Sequence, residues 1–280
     1  MKIALFYNEK KHDSKNLASE IVKFFKNKKI DIFAEDEKAT LIDAHPLEQI
    51  KKSEITFIIT IGGDGTILKH LHEYKDFDAA ILGVNLGSLG FMADIPKNDV
   101  FSSLQDLLDG SYYIEKKIML EGLFKENKVF ASANDIVFHR GKNSSLIDLK
   151  VSINGKYLNT FAADGLIIAT PNGSTAYSLS AGGPILSPDL DGFVLTPICP
   201  HTISNRPFVF SASSQIEIEY LSQKEHPIEV NVDGYVDFEM DTKDIFKLQK
   251  SQKTFKLVKL KKHDYFTTLK TKLNWVGKFN

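Results

Sequence analysis

Apolar and polar positions follow two different rhythms along the chain. Lys2–Asn8 reads as a short strand. Ser14–Lys29 carries Leu17, Ile21, Phe24 and Phe25 at helical spacing, with Asp13 or Ser14 placed to cap its amino end. Asp31–Ala34 reads as a second strand. Ile55–Ile61 is almost wholly apolar and rich in β-branched residues, the composition of a strand buried on both faces of a parallel sheet. A helix over Thr66–Lys75, a buried strand over Ala79–Asn85 and a helix over Asn98–Asp109 follow. The last places Val100, Phe101, Leu104, Leu107 and Leu108 on one face, with Gly110 as its stop. Strand–helix alternation of this kind predicts an α/β domain with a parallel sheet, over residues 1–115.

Beyond about Tyr112 the rhythm shortens. Val129–His139, Leu149–Ile153, Gln215–Leu221, Ile228–Val232 and Phe246–Leu260 alternate as strands do, and helical patterns are scarce. Asn154-Gly155 and Asp233-Gly234 each sit between two such runs, the signature of a two-residue hairpin turn. A mostly antiparallel, sandwich-like β domain is expected over residues 116–262. Residues 263–280 are expected to return to the first domain.

Composition narrows the class of molecule. Of 280 residues, 42% are hydrophobic and 25% charged, and 35 Lys and Arg against 36 Asp and Glu leave a net charge of −1. That balance gives no basic face for nucleic acid or anionic membrane. The single cysteine, Cys199, excludes an internal disulfide and any CxxC motif. The amino terminus turns charged too early for a secretory signal, and no apolar run nears the roughly 20 residues of a membrane span. A cytoplasmic protein is expected.

The first chemical signal is Gly62-Gly63-Asp64-Gly65-Thr66, directly after a buried strand and opening a helix. Glycines let the main chain turn tightly and approach a ligand, and the exposed amides with the positive helix end cradle phosphate. A carboxylate in such a cradle repels phosphate unless it serves to orient a hydroxyl or to help hold Mg²⁺. The combination reads as phosphoryl transfer onto an alcohol. The alternative is a glycine-rich turn in which Asp64 merely suits the helix dipole. The lysine of a P-loop and the spacing of a dinucleotide fingerprint are both missing.

A second strand-to-turn run spans Asp164 to Tyr177, where Ser174, Thr175 and nearby amides suit ribose hydroxyls, an amide or a base edge. A short helix starts at Ser178–Ala181 and is stopped by Gly182-Gly183-Pro184. The pentad, Thr170–Ile185 (TPNGSTAYSLSAGGPI) and Pro200–Pro207 (PHTISNRP), in this order, resemble the NAD kinases of bacteria and archaea. The closing Asp264–Trp275 (DYFTTLKTKLNW) is similar to the carboxy-terminal segment of many bacterial members, so the resemblance runs from about Ile55 to Trp275.

The resemblance implies an α/β, Rossmann-like amino-terminal domain and an all-β, sandwich-like second domain. It implies a Mg²⁺-dependent transfer of the ATP γ-phosphoryl to the adenosine ribose 2′-hydroxyl of NAD, giving NADP, by a homodimer or homotetramer. By matched position, Asp64 is the catalytic carboxylate, and Gly63, Gly65 and Thr66 form the phosphate loop. Asn134 and Asp135 grip the ribose. Asn172, Thr175, Ala176 and Tyr177 line the adenine and nicotinamide pockets, and Asp164 receives the nicotinamide amide. Phe91, Ser180 and Asp233 complete the binding residues, Phe91 being as well placed for a core or wall role. Two other readings stand beside this one: a diacylglycerol-type lipid kinase sharing the glycine loop, and a nonenzymatic NAD or NADP sensor.

Departures from the family pattern are visible. Asp135 stands where the family usually has Glu, Ala162 where many bacterial members have Arg, and Lys117 where Arg is common. His70 and His72, two apart on a helix, point to different faces and make a poor metal pair. His201 lies within a matched motif and is at least as well suited to a hydrogen-bonded structural role as to catalysis, and Cys199 is expected to be a small buried hydrophobe. Lysine-rich stretches at 23–29 and 247–262 read as solvated faces, and no metal site is legible.

Overall fold

The computed structural model describes residues 1–74, 77–125, 128–221 and 226–275. Its elements begin with β1 (Lys2–Tyr7), α1 (Ser14–Lys26), β2 (Asp31–Ala34), α2 (Asp36–Ile42), β3 (His45–Pro46), β4 (Phe57–Gly62), α3 (Asp64–Glu73), β5 (Ala80–Asn85), β6 (Ile95–Pro96) and α4 (Val100–Leu108). There follow β7 (Tyr112–Phe124), β8 (Lys128–Ser132), β9 (Asp135–His139), β10 (Ile147–Ile153), β11 (Lys156–Ala163), β12 (Gly165–Ala169), α5 (Tyr177–Ser180), β13 (Gly192–Ile198) and β14 (Phe208–Ser211). The chain ends with β15 (Ile216–Leu221), β16 (Ile228–Val232), β17 (Val236–Met240), β18 (Ile245–Leu260) and α6 (Tyr265–Leu273). Two compact units result. One comprises residues 1–116 and 256–280, of which 276–280 lie outside the described residues; the other comprises 117–255.

In the first unit the parallel strands lie in the order β5-β4-β1-β2-β3. β4 and β5 are buried at every position, as their unbroken apolar runs require. Helix α1 buries Leu17, Ala18, Ile21, Val22 and Phe25. Asp13 is its N-cap residue, but with φ 65° its carboxylate makes no capping hydrogen bond and pairs instead with Lys97 at 2.8 Å. Helix α4 stops where Gly110 takes φ 72°. Helix α2 carried no readable signal, because its seven residues bury only Ala39 and Ile42. Lys75, the expected end of the third helix, lies outside the described residues.

The second unit is antiparallel. One sheet runs β14-β13-β12-β9-β16-β17, and β11-β10-β15 with the start of β18 forms another. Phe138, Ile168, Phe193 and Val230 from the first meet Leu149, Val151, Ile218, Tyr220 and Phe246 from the second in one core, which makes a sandwich. Each fully buried large apolar side chain contributes about 1.5–3 kcal/mol. Asn154 (φ 52°) with Gly155 (73°), and Asp233 (53°) with Gly234 (75°), turn the β10–β11 and β16–β17 hairpins with both central residues left-handed. The expected strand over Val129–His139 is two strands, broken at Ala133-Asn134. On the other face of the six-stranded sheet, Val137, Ile167, Ala169, Val194 and Ile198 are covered by Leu186 and Ala181, which seats the 170–186 segment. Among the described residues, no helix is long and apolar enough to cross a membrane.

Candidate active site

In the first unit the chain leaves β1 for β2 on one side and later places β4 on the other, so the strand order reverses between β1 and β4. Open parallel sheets bind ligands outside the carboxyl ends of strands at such a reversal. The glycine pentad occupies that place. A Cβ on Gly62 would lie 2.1 Å from Thr66 Oγ1, so the turn closes only on glycine. Gly63 is extended (φ −170°), and a Cβ there would meet nothing nearer than Asn85 Nδ2 at 3.9 Å, leaving its surface open.

Asp64 begins α3, and three consecutive amides hold its carboxylate. Phe91 N donates to Oδ2 at 2.9 Å; Met92 N and Ala93 N donate to Oδ1 at 3.1 and 2.9 Å. Charge-assisted bonds of this kind are about twice as strong as neutral ones. A Cβ on Gly90 would lie 2.0 Å from Asp64 Oδ1, so only glycine admits the carboxylate. Buried Asn85 folds the same loop: its Oδ1 accepts from Gly87 N at 2.7 Å and its Nδ2 donates to Ala93 O at 3.4 Å. Asn85 and Gly90 were missed from sequence, although a glycine-rich stretch directly after a buried strand was the signal that singled out the pentad. Phe91 contributes its amide to Asp64, while its ring packs on Tyr265 with centroids 5.9 Å apart.

The second unit gathers Asn134, Asp135, Ala176, Tyr177 and Asp233 around a cleft of about 380 Å³, together with Val137, His139, Asn231 and Gly234. Its floor is the break between β8 and β9. There Asp233, on the hairpin turn, accepts from Ala133 N (2.8 Å), Asn134 N (2.8 Å), Asp135 N (3.0 Å) and Ser132 Oγ (2.7 Å). The 170–175 turn wraps the same point. Thr170 N donates to Asn134 O at 2.8 Å, Asn172 Nδ2 donates to Asn134 Oδ1 at 2.5 Å, and a Cβ on Gly173 would lie 2.1 Å from Asn134 O. Asn134 is thereby fixed from both sides. Burial, with the Asp233 charge added, pushes the Asp135 carboxyl up to about 7.

Other expected residues sit off the cleft lining. Thr175 Oγ1 donates to Asn172 O at 3.1 Å, and Ser180 is exposed at the end of α5. Asp164 forms an ion pair with Arg140 at 2.8 Å. Ser174, read as a ligand group, is fully buried: its hydroxyl donates to Pro171 O and accepts from Leu186 N. His139 and Asn231 line the cleft and were not singled out, because nothing in an alternating strand marks which face meets a ligand. Cys199 is exposed, with φ 44°, rather than buried. His70 is buried and His72 half-exposed, and among the described residues no group of three or more His, Cys, Asp or Glu could hold a metal ion.

Comparison with known proteins places these two arrangements in one family. The family model for the ATP-NAD kinase N-terminal domain matches residues 3–112, and that for the ATP-NAD kinase C-terminal domain matches residues 133–260. The chain is 51% identical over 276 residues to the NAD kinase of Protochlamydia amoebophila, covering 99% of each. It is 36% identical over 271 residues to that of Syntrophotalea carbinolica, covering 94% of each. Among solved structures, yeast NADH kinase complexed with NADH matches with a TM-score of 0.87 at 26% identity, over 100% of this chain and 89% of that one. An Archaeoglobus fulgidus NAD kinase in complex with ATP matches with a TM-score of 0.79 at 25% identity, over 99% and 100%. With both its domains matched by the family models and its whole length by close relatives, this chain belongs to the NAD kinase family.

Proposed function

We propose that this enzyme transfers the γ-phosphoryl group of ATP to the 2′-hydroxyl of the adenosine ribose of NAD, releasing NADP and ADP. The observation that carries the roles is Asp64, a carboxylate fixed by three amides at the carboxyl end of β4. In the step, the 2′-oxygen forms a bond to the γ-phosphorus while the bond to the bridging oxygen of ADP breaks. The hydroxyl proton passes to Asp64. Little deprotonation is needed in advance, because the transition state is loose and alignment supplies most of the catalysis. Gly63, Gly65 and Thr66 present the turn to the phosphates.

Asn134 and Asp135 hold the ribose diol. Ala176 and Tyr177 form the walls of the cleft, with Asn172, Thr175 and Ser180 behind and beside them. Asp233 acts by shaping the 132–135 turn, and Asp164 shares its carboxylate between Arg140 and the nicotinamide amide. Mg²⁺ bound with the nucleotide would neutralise phosphate charge. The donor set suits a cation carried on the triphosphate, since the pentad offers one carboxylate and no cage of acidic residues stands ready among the described ones. Binding of NADH by the yeast relative and of ATP by the archaeal one supports both substrates. A homodimer or homotetramer is inferred from the exposed apolar residues Tyr157, Ile203, Phe208 and Val209 of the second unit. ATP and NAD are pools of the cell interior, which favours the cytoplasm.

The test is NADP formation from ATP, Mg²⁺ and NAD, read with an NADP-specific dehydrogenase, with NADH run in parallel. Asp64→Asn is expected to lower kcat on the order of 10²–10⁴-fold. Undiminished turnover in that variant would remove Asp64 from the chemistry. Nucleotide binding without product in the unaltered protein would overturn the kinase reading.

A further inference from the structure

Three backbone amides hold Asp64, and the segment that supplies them is itself gripped from behind. Lys259, near the end of β18, extends its ammonium to Phe91 O at 3.0 Å and to Asp94 Oδ2 at 2.7 Å. Its side chain is 13% exposed and that of Asp94 9%, so this is a sheltered pair within a lysine-rich stretch that sequence alone reads as solvated. His263 Nδ1 lies 4.0 Å from Asp94 Oδ1, and Lys272 Nζ sits over the Phe91 ring at 4.8 Å. Four side chains from 259–272, counting Tyr265, therefore converge on Phe91 and Asp94.

The peptide joining Phe91 to Met92 is the centre of this arrangement. Its C=O accepts from Lys259 and its N–H donates to Asp64 Oδ1 at 3.1 Å. A trans peptide is planar, with C=O and N–H pointing in opposite directions. The ammonium and the catalytic carboxylate thus hold opposite edges of one rigid plate. A cation on the carbonyl also polarises the amide and strengthens its N–H as a donor. The carboxylate of Asp94 balances the lysine charge, so the ammonium is sheltered without being left unpaired.

We infer that Lys259, held by Asp94, is a positioning residue for this kinase: it sets the orientation of the Asp64 carboxylate through the Phe91–Met92 peptide. The inference rests on the reading of Asp64 as the carboxylate that receives the hydroxyl proton. Lys259 acts through Phe91 O and Asp94, so its loss is expected to lower kcat and spare KM.

The experiment is a double-mutant cycle on the full chain, assayed for NADP formation well below the unfolding midpoint of every variant. Lys259→Met is expected to lower kcat on the order of 10- to 100-fold, with KM for NAD and for ATP within about twofold. Lys259→Arg, which restores a cation, is expected to recover much of the loss. In an Asp64→Asn background the same Lys259→Met change is expected to have almost no further effect, because the residue it positions is already disabled. An equal fractional loss in both backgrounds would show a general structural role and overturn the inference. Because Lys259→Met leaves the buried Asp94 with only His263 beside it, Lys259→Met/Asp94→Asn is measured as well; wild-type kcat in this folded double variant would also overturn the inference. If Asp64→Asn alone leaves kcat unchanged, it is the reading of Asp64 that fails. If Asp64→Asn lowers kcat and Lys259→Met does not, only the positioning fails.

Discussion

Each unit fixes one aspartate by the same device and uses it differently. In the first, the amides of Phe91, Met92 and Ala93 converge on Asp64; in the second, those of Ala133, Asn134 and Asp135 converge on Asp233. Successive N–H groups of this kind form an anion-binding concavity, and here a side chain fills it. The difference is what else each carboxylate can reach. Asp233 also takes the Ser132 hydroxyl and is only 7% exposed, so it is consumed in holding a turn. Asp64 stands half-buried at the end of a strand, with the open surface of Gly63 beside it. The same cup makes a structural pin when sealed and, when left open, keeps a carboxylate within reach of a ligand.

The largest expected effect tests that contrast directly. Asp233→Ala leaves three buried amides without their acceptor, leaves the Ser132 hydroxyl only Asp135 O at 2.9 Å, and keeps a non-glycine residue at φ 53°. A loss on the order of 5 kcal/mol is expected in denaturant titrations followed by hydrogen exchange of the second unit. Asp64→Ala is expected to cost only about 1–2 kcal/mol: Met92 and Ala93 are buried, but Asp64 itself is half-buried, so water can take the space its carboxylate leaves. Comparable stability losses in the two variants would break the distinction between sealed and open.

What could be read from the sequence divides along a related line. Features with a local cause were legible: the Asn154-Gly155 and Asp233-Gly234 turns, the fully buried β4 and β5, and the stop at Gly110. Features with a distant cause were not. The break at Ala133-Asn134 is made by Asp233, about a hundred residues later, so Val129–His139 looked continuous. Gly90 is required by Asp64, and Lys259 is withdrawn from water by Asp94; neither reason is visible in the neighbouring sequence. Asp13 is legible as the N-cap of α1, but that its carboxylate is drawn to Lys97 instead of the helix amides is not. For the site, the motifs and the Asp233-Gly234 turn lead to six of the cleft-lining residues, whereas Val137, His139 and Asn231 are joined to them by strand pairing. Asp164 was legible as polar and glycine-flanked, yet its partner Arg140 was not.

Asp135 sharpens the comparison, since it sits beside the pinned Asp233 and no donor relieves its burial. Its carboxyl is pushed up to about 7, so the folded chain binds a proton that the unfolded chain has released above about pH 4. This group's contribution is therefore most favourable in acid and is lost as pH rises from about 4 through 7. Asp135→Asn is expected to be indistinguishable from the parent at pH 4 and more stable at pH 8, by up to about 4 kcal/mol. If Asp135 holds the ribose diol as proposed, the same variant is expected to bind NAD more weakly above pH 7, where the parent carboxyl is charged. Isothermal titration at pH 6 and pH 8 reads the binding arm. An unchanged stability difference across that range would place the proton elsewhere.

In the first unit the corresponding buried titrating group is His70, and its slope has the opposite sign. The imidazole is 6% exposed and lies 4.4 Å from the Phe6 ring, centroid to centroid, with neither nitrogen hydrogen-bonded. Burial is the main cause that pushes it down to about 4, with the nearby Glu35 carboxylate opposing and the Lys69 and Lys38 charges adding to the fall. Above pH 6.5 the ring is neutral in both folded and unfolded chain and costs nothing. As pH falls from 6.5 toward 4 the unfolded chain takes up a proton that the folded one refuses, and about 3 kcal/mol is lost. His70→Leu keeps the contact with Phe6 and removes the proton, so exchange protection of β4 amides is expected to hold down to about pH 4 instead of declining below 6.5. The parent and variant should coincide at pH 8, where the change is close to a volume-conserving swap. A parallel acid decline in both proteins would mean that His70 finds a partner once charged, and that the first unit relieves its buried charge by hydrogen bonding, as the second does at Asp233, rather than by refusing the proton.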